Sequence, residues 1–585
     1  MNYRTFLFVL SLVIVFHVLS LTALATDPPV TPSPDWSAYG TAESTYLGYS
    51  VASGDLNGDG FVDLIVSQGD PFYAWTGGMV SVFYGSASGF PSNPSLTMTG
   101  TQRYGDSVAV CDVDNDGYGD LLIGQPLAGG YGVVYLYYWS ASGSVFESII
   151  SGDGYSGGRF GTAVACAGDV NGDGYSDVVI GGDQDKDPMN PGGTQGAAYV
   201  FYGKSPREAY WDEWDWVYYG ETTFTEYFGQ VVSSAGDLDG DGVDDVVVGA
   251  PANFASGGRA FVFLGSVYGI GWSPPITLSL NPDEPGANFG KSVAGIGDAN
   301  GDGFDDLVVG SPEYDIAPYL GHVYAYYGNL SGVSTTPSWI GPPAYLWGAV
   351  GSSVASAGDF DGDGYDDLLV GAKWYDPDED GFEEGGAFIF RGSDSGLQVH
   401  PSWEFLLDQT DCELGYAVAN VGHMKADVET SVVVTAPYYD GTDTDTGGAF
   451  VYYGLLSGDD DTSDDDTADD DSSDDDTGDD DTSDDDSADD DTSDDDSADD
   501  DSGDDDTTPT DDDTSDDDDD DDDDDDNDTE PDDDTSDDDD TSPPDDDSGT
   551  DDDGASDDDD NNDSLDDDDV SGSEGSDSGN GGCGC

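Results

Sequence analysis

DLNGDGFVD fills residues 55–63, and five close copies follow it: DVDNDGYGD from Asp112, DVNGDGYSD from Asp169, DLDGDGVDD from Asp237, DANGDGFDD from Asp298 and DFDGDGYDD from Asp359. Successive copies are 57, 57, 68, 61 and 61 residues apart. A recurring period of this size marks a repeat architecture in which each copy is one supersecondary unit. The flanks repeat as well. About eight residues before each copy stands an apolar residue followed by glycine: Leu47-Gly48, Tyr104-Gly105, Phe160-Gly161, Phe228-Gly229, Phe289-Gly290 and Val350-Gly351. Directly after each copy comes a short apolar run, such as Val246 to Val248, ending in small residues. A glycine-led aromatic run follows (AFVFLG from Ala260, HVYAYYG from His322), then another short run such as Ile276 to Leu280.

Four short β-rich runs per unit, separated by glycine turns, is the pattern of a four-stranded propeller blade. A seventh unit starts at Leu414-Gly415 and ends with VVVTAP from Val432 and AFVYYG from Ala449. The expected fold is all-β: a seven-bladed β-propeller over residues 35–456 with a disordered, Asp-rich C-terminal tail. The seventh unit has no outer strand after Gly454, because the chain turns to aspartate. A spare strand around Asp35 to Tyr39 precedes the first Gly pair. That segment is expected to complete the last blade and close the ring, which removes exposed sheet edges.

The nonapeptide has the donor set of a calcium loop. Calcium takes six to eight hard oxygens at flexible geometry. Side chains at positions 1, 3, 5 and 9 and the carbonyl at position 7 can converge, and glycine at position 6 permits the turn. The predicted ligands are Asp55, Asn57, Asp59, Phe61 and Asp63; Asp112, Asp114, Asp116, Tyr118 and Asp120; Asp169, Asn171, Asp173, Tyr175 and Asp177; Asp237, Asp239, Asp241, Val243 and Asp245; Asp298, Asn300, Asp302, Phe304 and Asp306; Asp359, Asp361, Asp363, Tyr365 and Asp367. In each set the fourth residue offers its carbonyl. About six Ca2+ sites are therefore expected. An EF-hand or dockerin-type loop would need a polar ligand at position 12, where this chain has Val66, Ile123, Ile180, Val248, Val309 and Val370. The corresponding slots of the seventh unit hold His423, Lys425, Asp427 and Ser431, which do not form a dication cage.

The aromatic-Gly start, the D-x-D/N-x-D-G-x-x-D loop and the Val-Gly-Ala-Pro run resemble the FG-GAP repeat of integrin α propellers and of many bacterial surface proteins. The resemblance covers roughly residues 35–454 and implies a seven-bladed fold, calcium in the loop between the first and second strands (A and B) of each blade, and adhesion or ligand binding. The chain departs from the pattern in the decayed seventh loop and in weakened small-residue runs such as Val66-Ser67-Gln68 and Gly124-Gln125-Pro126. It has no integrin-like leg domains, so partner and signalling role are not implied.

Charge bounds the partners. Sixty of 130 acidic residues precede Ser457 and seventy follow it, against eleven Lys and Arg in all. Neutralising nucleic-acid phosphates is excluded by this balance, as is attraction to anionic lipid. Residues 1–25 read as a signal peptide, with Arg4, an apolar run from Phe6 to Leu21 and Ala23-Leu24-Ala25 as cleavage site. Residues 26–34 read as a linker, and no later run is long enough to span a bilayer. The tail, 457–582, is almost devoid of apolar residues and is expected to be a disordered, extended spacer. The terminal Cys583-Gly584-Cys585 suggests anchoring through Cys583. Five cysteines are too few for a disulfide framework.

These features predict a secreted or cell-surface protein of bacterial type, not an enzyme, that binds a protein or carbohydrate on the face opposite the calcium loops. The alternatives are a calcium-buffering surface component without a specific ligand, and a hydrolase using the propeller face. The candidate ligand-binding residues are Trp374, Tyr375, Tyr314, Tyr438 and Tyr439, aromatics beside carboxylates in the loops between the second and third strands (B and C) of their units. Phe72 and Tyr73 sit in a like position, whereas the run from Trp211 to Tyr219 alternates like an outer strand.

Overall fold

The computed structural model describes residues 30–454, apart from positions 43, 70–76, 142, 153, 155, 190–194, 206–210, 212, 221–226, 252–256, 272, 281–286, 314–320, 343–347, 378–382, 426–429 and 442. The signal-peptide, tail and Cys583 expectations lie outside the described residues, as do Phe72, Tyr73, Tyr314 and Asp427.

Among the described residues the fold consists of seven four-stranded antiparallel sheets and one two-stranded hairpin, Gly328–Asn329 with Gly332–Val333. With strands A to D running from the inside out, blade I is Leu47–Gly54, Asp63–Gln68, Met79–Phe83 and Leu96–Thr99. Blade II is Val108–Cys111, Asp120–Gln125, Val133–Tyr138 and Val145–Ile150. Blade III is Phe160–Gly168, Asp177–Gly182, Ala197–Phe201 and Trp216–Tyr219. Blade IV is Val231–Gly236, Asp245–Ala250, Arg259–Phe263 and Ile276–Ser279. Blade V is Ser292–Gly297, Asp306–Ser311, His322–Tyr326 and Trp339–Gly341. Blade VI is Val350–Gly358, Asp367–Ala372, Gly386–Phe390 and Trp403–Phe405.

Blade VII takes strands A to C from Val418–Asn420, Ser431–Ala436 and Gly448–Tyr453, and strand D from Trp36–Tyr39. The N-terminal strand thus closes the ring, as the count of strands anticipates. Its register sets Trp36 against Val451 and Tyr39 against Gly448. Asp35 fastens it: its N–H donates to the Val451 carbonyl (2.9 Å), and its Oδ2 accepts the Tyr453 N–H (2.8 Å).

Every B strand is buried along its whole length, because both of its faces meet other protein. That is why these runs read as continuous apolar stretches and not as alternating ones. The core lies between blades. One layer joins Val308 and Ala325 of blade V to Leu368 and Phe388 of blade VI. Another joins Leu64 and Val66 of blade I to Ala38, Val433 and Val451 of blade VII across the closure. The run from Trp211 to Tyr219 is a strand only over Trp216–Tyr219. Trp211 instead buries its ring against Phe201 and donates its indole N–H to the Tyr138 hydroxyl (2.9 Å).

Candidate metal centres and the opposite face

Each nonapeptide forms the turn between strands A and B of its blade. The position 1 carboxylate organises it. Asp55 Oδ1 accepts the Gly58 N–H (2.7 Å), and Oδ2 accepts the Gly60 N–H (2.8 Å). The bond to the position 6 glycine recurs at Asp112, Asp169, Asp237, Asp298 and Asp359. That glycine has φ from 84° to 92° in all six loops, while a Cβ there would meet nothing within 4 Å. Backbone conformation, and not lack of room, makes it glycine. Position 5 accepts the N–H of position 7 through one oxygen, as Asp59 does from Phe61 (3.0 Å). Its second oxygen is left for other use.

The carboxylates converge. One oxygen from each of Asp112, Asp114 and Asp116 lies within 4.8 Å of the others, and the same holds for Asp237, Asp239 and Asp241 and for Asp359, Asp361 and Asp363. In blades I and V, Asn57 and Asn300 stand at position 3 and donate their Nδ2 towards Asp63 and Asp306, which leaves the amide oxygen as a ligand atom. Asp114 Oδ1 and Asp239 Oδ1 are buried with no hydrogen-bond partner among the described residues. Buried polar oxygens are nearly always satisfied, so these atoms fit a hard divalent cation. Burial, then Asp116 and Asp112, pushes Asp114 up to about 6. The Asp triplets could therefore hold metal.

Position 9 has a second task. The aspartates Asp63, Asp120, Asp177, Asp245, Asp306 and Asp367 are fully buried. Their Oδ2 accepts the position 2 N–H, as in Leu56 to Asp63 (3.0 Å). Their Oδ1 accepts an N–H from the C–D turn of the same blade, as in Gly85 to Asp63 (2.8 Å). Burial raises Asp63 and Asp306 to about 7 and the other four to about 8, with the neighbouring loop aspartates adding to the effect. Position 9 therefore ties the metal loop to the outer hairpin.

Three features escaped the sequence reading. Asp244, Asp305 and Asp366, at position 8, accept the position 1 N–H of the preceding blade's loop (2.8, 2.8 and 3.0 Å), which links blades III to VI around the metal face. Their only sequence signal is the Asp-Asp doublet in those three copies. Cys111 and Cys166, both on inner strands, form a disulfide between blades II and III. Arg391, at the end of strand C of blade VI, extends its guanidinium onto the Oδ2 of Asp361. In blade VII the decayed loop is filled by other means: His423 stacks on Phe61 (5.5 Å), and the Lys425 ammonium sits over the Tyr453 ring (5.3 Å).

The B–C and D–A loops lie at the opposite end of the ring. Of the ligand-binding candidates, Trp374 lines a cavity there with Lys291, Glu313, Ser352, Lys373 and Tyr416. Tyr375 packs edge-on against Phe388 and Tyr438 against Tyr46, while Tyr439 stacks on Tyr39 and meets Phe450 edge-on.

The fold and its loops define a class, the FG-GAP propeller. Models of an FG-GAP-like repeat match residues 55–123 and 298–370, and models of the FG-GAP repeat match 160–201 and 228–263. Integrin alpha-V of Gallus gallus is 33% identical over 229 residues, 36% of this chain and 20% of the relative. Integrin alpha-8 of Mus musculus is 34% identical over 228 residues, 36% of this chain and 20% of the relative. Phosphatidylinositol-glycan-specific phospholipase D of Bos taurus is 29% identical over 429 residues, 63% of this chain and 49% of the relative. The chain thus spans from a fifth to about half of the length of these relatives. It carries FG-GAP repeats in an integrin-α-like propeller. Among the described residues no helix is long and apolar enough to cross a membrane.

Proposed function

We propose that this protein is an exported calcium-binding propeller that serves as an adhesion or ligand-binding module. Calcium is held in the A–B loops of blades I to VI by the side chains at positions 1, 3, 5 and 9 and the carbonyl at position 7. The observation that carries the reading is the pair of orphaned buried oxygens on Asp114 and Asp239, each inside a cluster of carboxylates. When bound, the cation supplies positive charge that relieves repulsion among three or four carboxylates per loop. The chain's residues orient it by the Asp55-type turn and secure the loop through position 9. Export is supported by the N-terminal sequence and by the Cys111–Cys166 bridge, since disulfides persist in oxidising compartments. The B–C face then presents the ligand site, and the acidic tail holds the propeller off its surface.

Calorimetric titration of chelator-treated protein tests the metal, with about six sites expected and none found for a decayed set. Protein and glycan arrays with and without calcium test the binding role; silence on every array would favour a calcium buffer. The similarity to a phospholipase D supports a second reading, a hydrolase, and release of a phosphatidylinositol-glycan-anchored protein by the purified chain would establish it.

A further inference from the structure

We propose that Asn171, in the metal loop of blade III, is a self-modification site: attack by the backbone nitrogen of Gly172 converts its carboxamide to a carboxylate while the loop is free of cation. The calcium dependence rests on the metal reading above; the choice of Asn171 does not. Among the described residues Asn-Gly occurs at Asn57-Gly58, Asn171-Gly172 and Asn300-Gly301, each time at positions 3 and 4 of a metal loop. Glycine, without a Cβ, hinders attack by its own nitrogen least. All three pairs therefore share the reactive sequence, and the fold tells them apart.

Loops I and V hold both reacting groups. The Gly58 N–H donates to Asp55 Oδ1 (2.7 Å), and the Gly301 N–H to Asp298 Oδ1 (2.6 Å). Asn57 Nδ2 donates to Asp63 Oδ1 (3.4 Å), and Asn300 Nδ2 to Asp306 Oδ2 (3.2 Å). Loop III makes neither bond. There the Asp169 carboxylate accepts from Asp173 and Gly174, and that of Asp177 from Val170 and Gly203. The next blade adds to the difference. The rings of Tyr118 and Tyr365, at position 7, lie so close over Gly58 and Gly301 that a Cβ there would stand 2.6 and 2.5 Å from a ring carbon. Over Gly172 that place falls to Val243, the one residue at position 7 that is not aromatic, together with Val267 of the C–D turn. A Cβ on Gly172 would stand 3.5 and 3.3 Å from their methyl carbons. Turning the peptide at Asn57 or Asn300 breaks a charge-assisted hydrogen bond and moves a ring. Among the described residues, turning it at Asn171 does neither.

The Gly172 nitrogen gives its proton to solvent base and bonds to Asn171 Cγ; the bond from Cγ to Nδ2 breaks and ammonia leaves. Water then opens the cyclic imide at one carbonyl or the other, leaving aspartate or isoaspartate. The aspartate would match the position 3 donor of loops II, IV and VI, whereas the isoaspartate adds a methylene to the backbone and displaces the turn built on Asp169. With its oxygen committed to a cation, Asn171 cannot turn to meet the nitrogen, so the reaction belongs to the metal-free loop.

The test ages the full chain in mildly alkaline buffer, with chelator or with calcium, and follows the three sites by peptide mapping, with enzymatic methylation to count isoaspartate. In chelator, conversion at Asn171 is expected to be at least severalfold faster than at Asn57 and Asn300, and calcium should slow it. Val243→Phe, which restores a ring over Gly172, should slow it as well; the melting temperature in calcium shows whether that variant is folded, and the ranking of the three sites in the unaltered chain decides if it is not. Equal conversion at the three sites, faster conversion at Asn57 or Asn300, or the same rate at Asn171 in calcium as in chelator overturns the proposal. Absence of calcium binding by calorimetry would sink the metal reading instead, while the ranking in chelator still decides the modification.

Discussion

At the scale of the residue, the loops differ most at the place that ends strand C. Counted from the register with strand B, the place is held by Tyr84, Tyr138, Tyr202, Leu264, Tyr327 and Tyr453 in the other blades, and by Arg391 in blade VI. A guanidinium resting on Asp361 supplies part of the charge that a metal would bring, and its stacking on Trp403 (5.1 Å) keeps it in place. Blade VI is therefore expected to be the weakest calcium site. Arg391→Gln keeps the methylene stem and removes the charge, so affinity at that site should rise about tenfold or more. Calorimetric titration would show one weak class merging with the others; unchanged isotherms refute it. The position 8 aspartates act between blades. Asp305→Ala leaves the Asp237 N–H without its acceptor and should cost about 1–3 kcal/mol in urea unfolding. Asp305→Asn retains an acceptor and should lose much less.

At the scale of the element, the sequence shows the strands better than it shows how blades are joined. Period, Gly pairs and apolar runs place the A, B and C strands, because each has a local chemical cause. The closure by Trp36–Tyr39 is also legible, since counting leaves one strand over. Pairings between blades are not, because partners such as Cys111 and Cys166, 55 residues apart, share no local pattern. The same holds for glycine at position 4. Gly58, Gly240 and Gly301 have φ near 70°, and a Cβ there would strike the rings of Tyr118, Phe304 and Tyr365 from the next blade. The ring of one repeat explains the glycine of its neighbour, a relation visible only once the blades are side by side. Of the aromatic candidates, Trp374 reaches the cavity, whereas Tyr375 and Tyr439 serve packing, a distinction that periodicity does not carry. The closing strand gives a direct test: removal of residues 26–39 bares the edge of Gly448–Tyr453 and the Phe83 and Phe90 rings that Trp36 covers. Such a chain should self-associate, seen by light scattering, because an open strand edge invites pairing. A monomer of unchanged melting temperature would mean that blade VII is stable with three strands.

At the scale of the whole molecule, the six position 9 aspartates make stability depend on pH and metal together. Each has a pKa raised by burial to about 7 or about 8 in the folded chain, whereas in the unfolded chain it returns to about 4. The folded state therefore binds more protons than the unfolded state between those values. Without cation, stability is fullest below about pH 4 as far as these groups are concerned, and it declines as pH rises through 7 to 8. Each pKa unit is worth about 1.4 kcal/mol, so even a fraction of these shifts over six loops amounts to several kcal/mol. Calcium reverses the balance, since its charge favours the ionised carboxylates and its binding to the folded state stabilises by mass action. Melting curves in chelator should therefore fall steadily from pH 5 to pH 8.5, while those in millimolar calcium should stay level or rise. Calcium uptake near pH 7 should also release protons, measurable as a dependence of the binding heat on the buffer. A melting temperature in chelator that did not move with pH would mean that these aspartates are held by their backbone N–H partners alone and take no part in the metal's hold on the ring.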